Sequence, residues 1–281
     1  MPFTNERLFM DDQAPIQDFT DDSFRILGET PDLLAIGKPP FLLVHPTRPG
    51  GPVTLWDRLR ELLAYEIAGG GQVSLINRLD RETSGIVLVA KHVAAARACA
   101  MGMGRGEIGK EYLAIVAGWP ERGAWSVDAP ILRRGEVEPS RIWLKRMVHP
   151  DGASSLTEFR VLERRTHPVH GPLALIRCIP RTGRTHQIRV HLAHSGHPVV
   201  GDKVYGPSEE CFLEFIETGL TPPLLERLRH PRHALHSSLL SVTLDGETHC
   251  WEDPLPEDLR ELFFGASPPR FPKDLPWPQN L

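Results

Sequence analysis

Residues 76–91, INRLDRETSGIVLVAK, run from a charged, turn-forming stretch straight into five consecutive apolar residues, Ile86 to Ala90. A short, unbroken apolar run rich in β-branched side chains predicts a strand buried in the core. The polar stretch that feeds it, Asn77 to Gly85, then becomes a loop at the core's edge, with Asp80 on it. Further strands are predicted by LLAI before the breaker Lys38-Pro39-Pro40, EYLAIVAG from Glu111, TEFRVLERR from Thr157 and LALIRCIPR from Leu173. LHSSLLSVTL and ETHCW flank Asp245-Gly246, a two-residue hairpin signal.

Helices interrupt these strands. TLWDRLRELLAYEIAGGG predicts one that Thr54 caps and Gly69–Gly71 stop, with Leu55, Leu59, Leu62, Leu63 and Ile67 on its apolar face. The Ala-rich stretch from His92 to Met101 predicts a second, and Thr185 to Ser195 a third, ended by Gly196. Hairpin-joined strands with scattered helices define an α+β fold with a mixed or antiparallel sheet rather than a doubly wound one. The glycines of MGMGRG and GEIGK match neither dinucleotide nor P-loop spacing, which disfavours nucleotide-cofactor chemistry.

Composition narrows the function classes. A hydrophobic content of 41% excludes disorder as the main state. The 32 Lys and Arg against 36 Asp and Glu exclude a uniformly basic nucleic-acid binder, though not a local basic face. The four cysteines form no C-x-x-C pair and read as reduced thiols. No apolar run approaches the roughly 18 residues of a membrane helix, and the first 22 residues carry six acids and one Arg, the opposite of a signal peptide. The expectation is a cytoplasmic protein with an acidic arm over residues 1–23, a body over 24–265 and a Pro-rich tail over 266–281, whose last 14 residues hold five prolines.

Three segments concentrate polar chemistry. On the first, Asp80 taken alone would cap a turn or pair with Arg78 or Arg81. The second, from Arg177 to Gly206, holds five Lys or Arg and one Asp, a local +4 suited to a polyanion such as RNA. Its His186, His191, His194 and His197 raise a metal reading, but the spacing is not H-E-x-x-H and no Cys or Glu completes a set. The third, KEYLAIVAGW, starts a strand with Tyr112, which alone reads as an amphipathic core residue.

Together these segments resemble the RluA-type pseudouridine synthase family. Its R-L-D-x-x-T-S-G motif stands at Arg78–Gly85, its K-x-Y element at Lys110-Glu111-Tyr112, and G-R-T-H-Q-I-R-x-H at Gly183–His191, followed by GHPVVGDKVYG. Weaker echoes, GKPPFLLVHP and RHALHSSLLSVT, bracket them, so the resemblance spans about Phe24 to Phe264. It implies a mixed, largely antiparallel sheet with flanking helices and a central RNA-binding cleft, acting as a monomer on a tRNA or rRNA stem-loop without cofactor or metal. Asp80 is then the nucleophile, attacking the sugar C1′ or the uracil ring, and Arg189 the cation paired with it. Tyr112 is implied to stack on the uracil, its hydroxyl assisting proton removal from C5. Arg78 is implied to fill the space left by a flipped uridine. Arg184, His186, Gln187 and Lys203 become candidate substrate contacts, with Arg181 a further candidate for phosphate. Asn77, Phe41 and Gly37 depart from the family's usual His, Gly and Asn. With only about 23 residues, acidic overall, before the first matched strand, the expectation is a catalytic domain without an S4-type RNA-binding domain.

A different class is a catalytically silent RNA-binding protein or RNA chaperone on the same scaffold. A carboxylate in the binding site of an anionic ligand argues against it. A metal-dependent hydrolase lacks a coherent ligand set.

Overall fold

Strands β2 (Leu33–Lys38) and β4 (Ser84–Ala90) are buried along their whole length. Alternate residues leave a strand on opposite faces, so Leu34, Ile36, Val87 and Val89 enter one apolar cluster, and Leu33, Ala35, Ile86, Leu88 and Ala90 another. Both faces of the sheet are therefore covered, which is why Ile86–Ala90 shows no polar alternation. The structure is a computed structural model describing residues 24–46, 49–244 and 246–265. The expected acidic arm, the Pro-rich tail and Asp245 of the hairpin lie outside the described residues.

Around this centre, among the described residues, a ten-stranded sheet is ordered β1-β2-β4-β11-β5-β10-β9-β6, with β3 attached to β4 and β12 to β11. The remaining ranges are β1 Arg25–Glu29, β3 Ser74–Leu75, β5 Ile108–Ala117, β6 Ala124–Asp128, β9 Leu156–His167, β10 Gly171–Pro180, β11 Leu235–Leu244 and β12 Glu247–Glu252. Every described pair is antiparallel except β4 with β11. Strand β11 meets β4 only through His236 and Ser237, then pairs with β12 from Leu239 onward. A separate two-stranded sheet, β7 (Ile131–Arg133) with β8 (Arg146–Val148), sits between β6 and β9 in sequence.

Helices α1 (Leu55–Leu62) and α7 (Glu257–Phe264) cover the first face, and α3 (Val93–Gly104) with Trp251 the second. Thr54 caps α1 in a reciprocal box with Asp57. The predicted single helix is broken at Leu63, and α2 (Ala64–Ala68) follows. The inward stripe is Leu55, Leu59 and Leu63, at i, i+4 and i+8; Leu62, expected on that face, lies about 100° away and is 46% exposed. Helix α4 (Gln187–His194) ends as expected before Gly196, at φ 81°. Helices α5 (Glu210–Thr218) and α6 (Pro222–Leu228) share a small cluster of Cys211, Leu224 and Leu228. Among the described residues, no helix is long and apolar enough to cross a membrane.

Gly85 shows how tightly the polar loop is joined to the sheet. Its φ is +109°, and a Cβ there would lie 2.2 Å from the Ser237 carbonyl oxygen on β11. Gly85→Ala is expected to cost roughly 2–5 kcal/mol from backbone strain plus overpacking. Urea unfolding checks it; a midpoint equal to wild type would contradict the close approach. Phe41 is a second strained point, at φ 67°, a conformation glycine adopts without penalty.

Candidate active site

The loop from Asn77 to Ser84 is fixed residue by residue. Asn77 donates to Ile86 O at 2.9 Å and accepts from Leu88 N at 2.8 Å, clipping the loop's start to β4. Buried Lys38 donates to Arg81 O at 3.2 Å, and buried Arg232 to Glu82 O at 3.1 Å and Ser84 Oγ at 3.2 Å. Thr83 Oγ1 and His233 Nε2 lie 2.7 Å apart. The carboxylate of Glu82 accepts from Lys203 Nζ at 2.8 Å and His233 N at 3.1 Å. Lys203, expected to contact substrate, is therefore buried behind the loop and bound to Glu82 and to Pro231 O. Its sequence position in a basic stretch did not reveal that an acid would claim it.

This clamping presents Asp80 on the floor of a cleft of about 550 Å³. Protein encloses the carboxylate, yet 27% of its side-chain surface stays open to the cleft. Arg189 on α4 donates through Nη1 to Asp80 Oδ2 at 2.8 Å, the pairing the motif resemblance implies, and not the local one with Arg78 or Arg81 that Asp80 taken alone would suggest. The same guanidinium donates through Nε and Nη2 to the two oxygens of Asp202, at 2.7 and 2.8 Å. Asp202, wholly buried, also accepts from the N–H groups of Val204 and Tyr205. One planar cation thus joins a fixed carboxylate behind it to an accessible one in front, a geometry a lysine cannot reproduce.

The electrostatics keep Asp80 ionised. Burial alone would raise its pKa, but His186 and Arg189 more than offset this, and the carboxyl lies below its ordinary range. Burial, with Arg189 beside it, pushes His186 itself down to about 4. The imidazole is therefore neutral near pH 7, and Arg189 is the charge that holds Asp80 ionised there. His186 sits at φ 59° where the loop turns into α4, with Nδ1 2.8 Å from Tyr205 Oη and Nε2 3.9 Å from Asp80 Oδ1. Tyr205 Oη accepts from Arg146 N and meets His186 Nδ1, while a carboxylate, which can only accept, faces Nε2. The proton of the neutral imidazole is therefore assigned to Nε2, towards Asp80, with Nδ1 accepting from the Tyr205 hydroxyl.

Tyr112 reaches the same cleft from β5, and burial pushes its hydroxyl up to about 12, keeping it a neutral phenol. Arg78 lies exposed along the cleft, as does Arg184, whose Nε donates to Ser154 O at 3.0 Å. Gln187 borders it too, but its amide is spent on Leu156 O, Thr157, Thr182 and Arg184 N, knitting the Thr182–His186 loop to β9. Arg181 is turned away and paired with Glu158. The histidines of this segment diverge: His191 is buried between Thr157 Oγ1 and Ala129 O, and His194 is exposed. Among the described residues, no group of three His, Cys, Asp or Glu could hold a metal ion.

Sequence reasoning missed Asp202, Tyr205, Arg232 and His233. The signal for Asp202 was present, because it is the one acid in the basic stretch Arg177–Gly206. A single acid among five cations is well placed to orient one of them.

Comparison with known proteins identifies the family. A family model described as RNA pseudouridylate synthase matches residues 32–194. The chain is 36% identical over 248 residues to ribosomal large subunit pseudouridine synthase D of Escherichia coli (strain K12), covering 84% of this chain and 68% of that protein. It is 35% identical to the Nitrosomonas europaea protein of the same name, covering 85% and 64%. Among solved structures, human RNA pseudouridylate synthase domain containing 1 superposes with a TM-score of 0.64 at 25% identity, covering 85% of this chain and 86% of that one. Human RNA pseudouridylate synthase domain containing 4 gives 0.62 at 25%, covering 84% and 92%. The chain belongs to the RNA pseudouridylate synthase family.

Proposed function

We propose that this protein converts uridine to pseudouridine in large-subunit ribosomal RNA, with Asp80 as nucleophile. The observation that carries the reading is a carboxylate open to a nucleotide-sized cleft and held ionised by Arg189, itself anchored by buried Asp202. The ribosomal target follows the relatives named ribosomal large subunit pseudouridine synthase D.

The reaction is an isomerisation, so atoms and electrons balance without a redox partner or group donor. The N1–C1′ bond breaks, C1′ rejoins at C5, the C5 proton leaves and N1 gains one. A stacked uridine cannot reach Asp80, so the nucleotide must flip out, and Arg78 at the cleft fills the gap. Asp80 attacks either C1′ or the uracil ring. Tyr112 stacks on the freed uracil and retains it while it turns, and its neutral hydroxyl assists proton loss from C5. Arg184 contacts backbone phosphate, and His186 donates from Nε2 towards the reacting groups. A silent RNA binder has no use for Asp80, since a carboxylate repels phosphate. The protein works as a cytoplasmic monomer on a structured stem-loop.

The test is pseudouridine formation by purified protein on transcripts of large-subunit ribosomal RNA and of tRNA. Product in the ribosomal transcript is expected; product in tRNA alone would overturn the target.

A further inference from the structure

We infer that Lys110 binds the RNA backbone phosphate adjoining the flipped uridine, forming an anion subsite beside the base-stacking Tyr112. The inference rests on the synthase reading of this cleft and adds a ligand contact that the fold and the reacting groups do not require.

Lys110 and Tyr112 are two apart on β5, so they leave the strand on the same face, and both line the cleft. Glu111 between them points the other way and is taken by Arg177 in a two-pronged ion pair. The acid nearest in sequence is thus unavailable to Lys110. The cleft's own carboxylate, Asp80, is engaged by Arg189. Among the described residues Lys110 has no hydrogen-bond or ion-pair partner, although it is only partly exposed. Burial pulls its pKa down, with no protein anion opposing that pull. A half-buried ammonium without a counter-charge is costly unless a ligand brings one.

The ligand's chemistry identifies the partner. Before the glycosidic bond breaks, uridine is neutral, and the phosphodiester is the one full negative charge its nucleotide carries. The ammonium also stands against the Thr182–His186 loop: a Cβ on Gly183 would lie 3.8 Å from Lys110 Nζ. Next to Gly183, Arg184 is exposed along the same cleft. A backbone drawn past Tyr112 would therefore meet Lys110 on β5 and Arg184 on the facing loop. Charge-assisted contacts of this kind are short and strong once water is displaced.

The experiment compares wild type, Lys110→Gln and Lys110→Arg on a large-subunit ribosomal RNA transcript across a salt series, reading turnover and, separately, equilibrium binding. Lys110→Gln is expected to raise KM and Kd about tenfold with kcat nearly unchanged. It should also reduce the slope of log Kd against log salt by about one phosphate's worth of counterion release. Lys110→Arg should restore both, and thermal melting of all three should coincide. An unchanged Kd and salt slope in Lys110→Gln would overturn the subsite. So would a loss confined to kcat, which would place the ammonium on the departing uracil instead. A wild type that binds the transcript without turning it over would count against the function, while the binding slope would still decide the role of Lys110.

Discussion

Asp80→Asn is expected to lower pseudouridine formation roughly 10⁴-fold or more, the scale on which enzymes lose activity when a nucleophile is removed. The amide matches the carboxylate in size and can still accept from Arg189 Nη1, so the loop that Lys38, Arg232 and His233 clamp should not move. Thermal melting should stay close to wild type, and RNA affinity should hold or rise, because one negative charge leaves the cleft. The measurements are single-turnover conversion and Kd on the same transcript. Substantial conversion by the variant would remove Asp80 from the chemistry; equal losses of conversion and binding would make it a binding residue.

Arg189→Ala should damage both stability and rate. Its guanidinium neutralises Asp202, whose side chain has no exposed surface. Removing one partner of a buried pair leaves an uncompensated charge and costs about 3–5 kcal/mol. Both carboxylates are held below their ordinary pKa in the fold, with burial opposing ionisation and Arg189 favouring it. Their contribution to wild-type stability is therefore complete above the unfolded value near 3.9 and is lost as pH falls through the lower folded values. In the variant burial prevails, so the acid limb of log kcat/KM should move to higher pH. If Arg189→Ala fails to fold, Arg189→Met combined with Asp202→Asn removes both charges. That double variant should recover most of the stability while the rate stays low. An acid limb at the wild-type position in either variant would contradict the role given to Arg189.

The pattern of the chain made the sheet legible where burial is simple. Ile86–Ala90 announced a strand covered on both faces, and the Asp-Gly hairpin between β11 and β12 was visible in two residues. The parallel contact of β4 with β11 was not, because it depends on two residues, His236 and Ser237, more than 150 positions from their partners. The β7–β8 sheet and helices α5 and α6 escaped for a similar reason: their short apolar runs acquire meaning only against one another. In the site, motif resemblance named Asp80, Tyr112 and Arg189, and the structure brings them to one cleft. Charge counting misread Lys203, since a lysine in a basic stretch looks solvent-facing until its buried acid is located. Asp202 and Arg232 act through other residues rather than through substrate, and local sequence carries little trace of such support.

The most direct test of the central claim is a pseudouridine map of total RNA from cells with the gene intact, deleted, and complemented by wild type or by Asp80→Asn. One or more positions in large-subunit ribosomal RNA should lose pseudouridine on deletion and regain it only with wild type. Restoration by Asp80→Asn, or a map that deletion leaves unchanged, would contradict the account.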